Sequence, residues 1–465
     1  MPADFRDFFD REDELQSLDR AWAAPGPVLA LVWGRRRTGK TRLLGKFVEG
    51  KRAIFYGATQ QASPTELAAL GQATREALSP AGTDLLALGD FPDWTTAFDY
   101  LADRSRTERL VVVLDEFPYL VETDPSLPSI IQRFWDHVGR ETQLFLVLCG
   151  SAQAVMKELQ GRRAPLFGRV DLRLQLRPFD YPEAALVVPR LSAADQALTY
   201  GILGGMPVYL QRWDDGLPVR DNLLRLFTNP VSPLVDEGEF VLSSELPEAA
   251  GYFRILHAIA AGEHTYGAIK EFARIDVQRQ LDRLLAIGLV ERVVPVTEDP
   301  LRTKRALYRI ADNFLNFWFR FVYRNRPHIA RGLGTEVVDR VILGGLDDYM
   351  GEPWKEQCRQ FVRREAIFGR LPVEVSRVGR WWNRDNSVEI DVVGLRGQEV
   401  VLAGSVKWSR SVGPHELRAL RRSVEALPDR AEHVQLVLFG RDEVRGLDGD
   451  VLGFTAEDLY RVGAR

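Results

Sequence analysis

The chain has 465 residues, which at roughly 150 residues per domain implies about three domains. Hydrophobic residues make up 45% and charged residues 27%, with 38 Gly and 25 Pro; this ordinary globular composition excludes a long disordered chain and a collagen-like or low-complexity one. With 61 Lys and Arg against 65 Asp and Glu, the net charge is −4, so any nucleic-acid contact must come from a local basic patch. The two cysteines, Cys149 and Cys358, exclude a disulfide scaffold and a Cys-based zinc site and suit a reducing compartment. No apolar run approaches the ~20 residues needed to span a bilayer, and the polar, acidic start Met1-Pro2-Ala3-Asp4 is unlike a secretory signal. The expectation is a soluble cytoplasmic protein without a membrane partner.

In chain order, Phe9-Asp10-Arg11-Glu12-Asp13-Glu14-Leu15 opens a short amphipathic helix, its acidic residues suited to a helix N-terminus. Val28–Trp33 is an apolar run of strand length. Gly34-Arg35-Arg36-Arg37-Thr38-Gly39-Lys40-Thr41 then matches GxxxxGK(S/T) at every fixed position, and Arg42–Val48 continues with apolar residues at helical spacing. Glycines let such a loop turn tightly and aim its N–H groups at phosphate oxygens beside a helix N-terminus. The pattern predicts ATP held by Gly34 through Arg42, with Lys40 reaching the β- and γ-phosphates and Thr41 ligating Mg²⁺.

Leu110-Val-Val-Val-Leu-Asp115-Glu116 reads as a strand buried on both faces, as in a parallel sheet. Asp115 at its end is expected to hold Mg²⁺. Glu116 is expected to polarise the attacking water as general base, which favours hydrolysis over mere nucleotide binding. A third buried strand, Gln143–Cys149, leads to Gly150-Ser151, where Ser151 suits the N-cap of a following helix.

These pieces resemble the archaeal-type ATPase family, within the STAND-like branch of AAA-related P-loop ATPases. The resemblance rests on Phe9–Leu15, Gly34–Thr41, Leu110–Glu116 and Cys149-Gly150-Ser151. It extends to Leu166-Phe167-Gly168-Arg169, Gly204-Gly205-Met206-Pro207-Val208-Tyr209-Leu210 and Tyr308–Trp318. It implies that Phe9 and Arg11 lie beside the adenine, although an ordinary surface helix start explains the same residues. It implies that Ser151 senses the γ-phosphate, beside its reading as an N-cap. It gives Pro207 a place near the adenine on a helical lid, although proline is also a good first residue of any helix. Arg169 becomes the loop arginine that reaches the γ-phosphate, in cis or from a neighbouring subunit of an oligomer, with a solvated arginine as the plain alternative.

Residues 178–245 read as helices with short loops, the lid, with Ser192-Ala-Ala-Asp195 resembling a capping box. Residues 246–326 read as a winged helix-turn-helix. Its helices are expected at Ala249–Ala261, Thr265–Ala273 and Asp276–Ala286, and two strands, Leu289–Val294 and Arg305–Ile310, flank the wing loop. Arg274, Arg279 and Arg283 fall on or near the recognition helix, and Arg302, Lys304 and Arg305 on the wing, where phosphate contacts with double-stranded DNA are expected. Asp276, Asp282, Glu298 and Asp299 dilute that patch, and packing between domains or onto a protein partner explains the segment equally. The aromatic run in Asn313–Arg326 reads as core.

Residues 327–465 begin with a helix near Asp348–Val362, followed by strands near Glu374-Val375, Glu389–Val393, Val400–Lys407 and Val434–Phe439. The family's C-terminal domain resembles PD-(D/E)xK nucleases, whose chemistry needs carboxylates and a lysine converging on Mg²⁺. Asp391 and Lys407 fit two positions of that pattern. Ser405 stands where a Glu is required, and Lys355 takes the place of the helix acid with Glu356 adjacent. Glu389 is expected on the opposite sheet face from Asp391. The expectation is a degenerate nuclease-like site at Glu356, Asp391 and Lys407, with Trp381, Trp382 and Trp408 used in packing or partner binding. Taken together the chain reads as an α/β protein. It comprises a P-loop core with a parallel sheet (1–177), a helical lid, a winged helix-turn-helix and a mixed α/β restriction-endonuclease-like domain. Its expected function is an Mg²⁺-dependent ATPase switch; an ATP-regulated nuclease and a nucleotide-gated DNA-binding scaffold are the rivals.

Overall fold

The computed structural model describes residues 11–78, 90–246 and 250–461. The chain divides into two compact units, Met1–Pro178 and Phe179–Arg465. The first carries five strands: β1 Val28–Trp33, β2 Ala53–Gly57, β3 Leu110–Asp115, β4 Leu144–Gly150 and β5 Leu172–Gln175. They pair in the order β2-β3-β4-β1-β5, every pair parallel. The three central strands, β3, β4 and β1, are buried at every residue, as the unbroken runs of Val and Leu require when both faces are covered by helices.

The two faces bury separate apolar clusters. One gathers Leu29, Leu31, Val112 and Leu146 with Phe98 and Phe134 from the helices. The other gathers Ala30, Val32, Val113 and Val147 with Leu43 and Phe47 of the helix Lys40–Val48. The alternation of Leu29 and Ala30 between faces is the two-residue period of a strand.

The second unit begins with helices, among them Ala193–Leu203, Pro207–Leu210, Val219–Phe227 and Pro233–Glu245. Ser192 caps the first of these by accepting from the N–H of Asp195. Three more helices follow, Ala250–Ala260, Tyr266–Ala273 and Gln278–Ala286, and then an antiparallel hairpin of β6 Val290–Val293 and β7 Leu307–Ile310. The expected order of helices and strands is present, and the third helix begins two positions after Asp276, at Gln278. The aromatic run is core: Phe314, Phe317, Trp318 and Phe319 are fully buried.

The rest of this unit is a long helix, Leu343–Ile367, and a mixed sheet. Its strands are β8 Arg377–Trp382, β9 Glu389–Arg396, β10 Glu399–Val406, β12 Arg430–Phe439 and β14 Leu452–Phe454. A small parallel pair is formed by β11 Ser411–Val412 and β13 Glu443–Val444. The order is β14-β12-β10-β9-β8, antiparallel on the β8–β9–β10 side and parallel beyond it. The first strand lies at Arg377–Trp382, not at Glu374-Val375 as the sequence suggested; Trp381 and Trp382 on it are buried, so packing explains them.

Hydrogen bonds cross between these segments. The Tyr349 hydroxyl donates to the carbonyls of Gly201, at 2.8 Å, and Asn313, at 3.0 Å. The Gln357 amide donates to Ala197 at 3.1 Å, and Tyr460 donates to Gln357 at 2.7 Å. Charged groups tie the hairpin to the long helix and the sheet: Arg309 on β7 lies 2.7 Å from Glu291 and 3.0 Å from Glu356. Arg380 on β8 lies 3.2 Å from Glu352. Burial by itself would raise the Glu352 carboxyl, but Arg380, Lys355, Arg359 and Arg309 outweigh it and hold the group down at about 2. Glu356 is likewise pushed below the usual carboxylate range, against its burial, by Arg309, Arg359 and Arg363.

Two outcomes follow from this packing. A Cβ at Gly205 would meet the Phe179 carbonyl oxygen at 1.8 Å, so Gly205→Ala is expected to destabilise the protein by about 1–3 kcal/mol, read by denaturant unfolding. Because the depressed carboxyls bind protons more tightly in the unfolded chain, their contribution is complete above about pH 4.5 and is lost as pH falls toward about 2. Unfolding midpoints measured across that window should fall with pH, and less steeply in Glu352→Gln.

Candidate nucleotide site and C-terminal acid cluster

Parallel pairing sets β1 and β4 with Trp33 opposite Gly150, and β3 and β4 with Leu114 opposite Leu148. The residues that follow these strands, Gly34, Asp115 with Glu116, and Ser151, therefore leave the sheet at one edge. Ligands of open α/β sheets bind at that carboxyl edge.

The loop Gly34–Gly39 turns directly into the helix Lys40–Val48. Gly39 takes φ +92° as the residue before it, a left-handed conformation that suits glycine, and Arg37 also stands at φ +70°. Gly34 has no room for a side chain: a Cβ would lie 2.4 Å from the Leu176 carbonyl oxygen. The Thr38 hydroxyl donates to the Arg35 carbonyl at 2.9 Å. Lys40 is buried, and its ammonium donates to the carbonyls of Gly34 and Arg35, each at 3.0 Å. Thr41 on the first turn donates to the Asp115 carboxylate at 2.7 Å. Arg36 donates to the Tyr119 hydroxyl at 2.5 Å, while Arg42 is half-buried on the first helical turn.

Glu116 stands at φ +52° as the residue before the helix Phe117–Thr123. Its carboxylate accepts from the Ser151 hydroxyl at 2.8 Å and the Ser151 N–H at 3.1 Å. Ser151 is therefore not the helix N-cap; that position is Ala152, which makes no side-chain cap. Burial, followed by the nearby Asp115 carboxylate, pushes the Cys149 thiol well up, so it stays a neutral core group.

The Arg11 guanidinium is buried and donates to the carbonyls of Arg177, at 2.6 Å, and Thr38, at 3.3 Å. It thereby braces the loop from behind. Phe9 lies outside the described residues. Arg169 grips Asp136 through two hydrogen bonds of 2.8 and 2.7 Å and donates to the carbonyls of Pro165 and Phe167. Asp136 was not singled out in the sequence, since an acid on a surface helix carries no motif. Pro207 is the first residue of the helix Pro207–Leu210 in the second unit.

On the helix–helix–hairpin segment, Arg274, Arg279, Arg283, Arg302 and Lys304 are exposed, with Arg302 3.4 Å from Asp299. Arg305 is drawn inward: it is hydrogen-bonded to Glu298 and to the Trp382 carbonyl, and that engagement takes it out of the exposed basic group.

The nuclease-like residues do not converge on one point. Glu356 is held by Arg309, Arg359 and Arg363 at 3.0, 2.8 and 2.9 Å. Lys407 is exposed beyond β10. Asp391 accepts from the Val406 N–H at 2.9 Å and pairs with Lys355 at 2.7 Å. Glu389 corrects an expectation: residues two apart on a strand share a face, and Lys355 reaches Glu389 as well as Asp391. The helical spacing of Glu352, Lys355, Glu356, Arg359 and Arg363 was the available signal for this charged stripe. Among the described residues, no group of three or more His, Cys, Asp or Glu is arranged to hold a metal ion, and no helix is long and apolar enough to cross a membrane.

Residues 8–212 match the model of an ATPase domain predominantly from Archaea, and residues 318–420 match a model described as "Archaea bacterial proteins of unknown function". An uncharacterised protein of Methanocaldococcus jannaschii is 28% identical over 463 residues, covering 97% of this chain and all of that protein. Among solved structures, a Walker-type ATPase of Pyrococcus abyssi aligns with a TM-score of 0.49 at 20% identity. That alignment covers 68% of this chain and 96% of the other. The ORC2 protein of Aeropyrum pernix, in ADPNP and ADP complexes, aligns with a TM-score of 0.41 at 16% identity, over 70% and 96% of the two chains. Over residues 8–212 the chain thus resembles ATPase domains found predominantly in Archaea, a likeness that supports ATP binding and hydrolysis.

Proposed function

We propose that the chain is an Mg²⁺-dependent ATPase whose nucleotide state is relayed to the second unit, which acts on duplex DNA. The observation that carries the ATPase reading is the hydrogen bond from Thr41 to Asp115 at 2.7 Å, just after the loop Gly34–Gly39. A hydroxyl and a carboxylate side by side fit the hard oxygen donors that Mg²⁺ needs, and the adjacent Lys40 supplies the positive charge that phosphates need. Mg²⁺ bound there would offset charge on the β- and γ-phosphates.

The protein residues then have separate tasks. The loop N–H groups from Gly34 to Thr41 orient the phosphates. Lys40 exchanges the Gly34 and Arg35 carbonyls for phosphate oxygens. Glu116 takes a proton from the attacking water on one carboxylate oxygen while Ser151 holds the other. Arg169 offsets transition-state charge only if it leaves Asp136. Arg11 acts as a brace for the loop, and Pro207 with its helix belongs to the proposed lid. Loss of the γ-phosphate contacts is the proposed trigger for rearrangement. Because charged pairs join β7 and β8 to the long helix, the hairpin segment and the C-terminal sheet would respond together.

DNA is the favoured partner because Arg274, Arg279, Arg283, Arg302 and Lys304 are exposed on one helix-and-hairpin segment, the arrangement of a winged helix. A nuclease is the weaker reading, since Lys355 sits on Asp391.

Steady-state ATP hydrolysis with Mg²⁺, with and without duplex DNA, tests the proposal. Glu116→Gln is expected to lower kcat by about 10²–10⁴-fold while leaving ATP binding intact. Retained turnover would remove the assigned general base, and no turnover in either protein despite ATP binding would leave a nucleotide-gated scaffold. Charge reversal at Arg279 and Arg283 is expected to weaken duplex binding, measured by anisotropy at fixed salt, and to abolish DNA stimulation without changing basal turnover. Unchanged DNA affinity would move the search to a protein partner.

A further inference from the structure

The Lys355 ammonium lies among three carboxylates that come from two different elements. It is 2.7 Å from Asp391 and 3.5 Å from Glu389, both on β9, and 3.4 Å from Glu352 one turn earlier on its own helix. Arg380 lies against the outer pair, 3.2 Å from Glu352 and 3.5 Å from Glu389. The remaining polar atoms of Asp391 are also engaged: its second carboxylate oxygen accepts from Val406, and its carbonyl accepts from Arg359 at 2.9 Å. Asp391 is 11% exposed and Lys355 20%, so the ammonium is largely withdrawn from water. Burial by itself would lower the Lys355 pKa, but Asp391, Glu352 and Glu389 together push it up. The side chain is a cation throughout the physiological range.

Three carboxylates that close repel one another unless a positive charge stands between them. A divalent ion does this with oxygens at about 2.0–2.6 Å; an ammonium does it at hydrogen-bond distance. We propose that Lys355 is a tethered cation filling the place that a divalent ion would take among Glu352, Glu389 and Asp391, and that it closes this centre to metal. Glu352 and Glu389 are 44% and 39% exposed, and to close on a smaller ion they draw inward from Arg380, which pairs with both. The set is therefore a latent divalent-cation site that loss of the ammonium opens.

The test uses the full chain without nucleotide, so that any weak binding at the P-loop is common to every variant. Mn²⁺ binding is followed by electron paramagnetic resonance, and thermal unfolding is recorded with and without Mn²⁺. Lys355→Met keeps the length of the side chain and removes its charge. It is expected to melt below wild type, to gain a Mn²⁺ site that tightens binding by about tenfold or more over wild type, and to recover stability on adding Mn²⁺. Lys355→Met/Asp391→Asn is expected to lose that site, and Lys355→Arg to stay metal-free. If Lys355→Met does not fold, Lys355→Gln, which removes the charge but keeps a hydrogen-bonding group, carries the same expectation. A wild type that binds Mn²⁺ at Asp391 as tightly as the variant overturns the proposal, as does a folded, charge-deleted variant that gains no Mn²⁺.

Discussion

Parallel pairing of strands buried on both faces is the constraint on which the nucleotide site rests. Each central strand of the first unit is an apolar run buried at every residue, broken only by Asp115 at the end of β3, so it has to lie between two layers of helices. Strands in such a sheet all run the same way, and their ends open on the same edge. The turn after β1, the acid pair ending β3 and the serine after β4 therefore meet without any side chain having to search for its partner. Thr41 and Asp115 come within a hydrogen bond although the chain between them forms β2 and two helices, Ser63–Leu78 and Trp94–Arg104.

The loop is held in a self-satisfied state. Lys40 donates to two carbonyls of its own loop, Ser151 holds the Glu116 carboxylate, and Asp136 holds Arg169. A buried ammonium or carboxylate without a partner costs far more than the same group paired. The left-handed backbone at Glu116 fits that picture, because a residue in this region persists only where its surroundings over-determine it.

The second unit solves a different problem. Its long helix carries a stripe of alternating charge, and that stripe faces a hairpin and a sheet that carry charges of their own. Arg309, Glu356, Arg359, Lys355 and Asp391 form a chain of pairs in which each ion has at least one opposite neighbour. Removing Lys355 would leave the largely buried Asp391 carboxylate without its ion-pair partner. This wiring joins the long helix to the hairpin and the sheet.

Sequence alone determined the phosphate loop, the acid-ended strand β3, the order of helices and strands through residues 250–310, and the aromatic core. Each depends on neighbours close in the chain, through glycine turns, apolar periodicity and cap residues, and such local rules are legible one residue at a time. Only the tertiary structure decided what the charged side chains do. Arg169, Arg305, Glu356 and Lys355 read equally well as solvated, catalytic or DNA-binding groups, because a long charged side chain can serve any of these. Three of their partners, Asp136, Arg309 and Asp391, lie on other elements, and Glu298 meets Arg305 across the β6–β7 loop. The placement of Glu389 was legible from strand period alone, yet its meaning depended on Lys355, which approaches from a helix that only the fold brings there. Coulombic pairing acts through space, and the folded chain sets the distances.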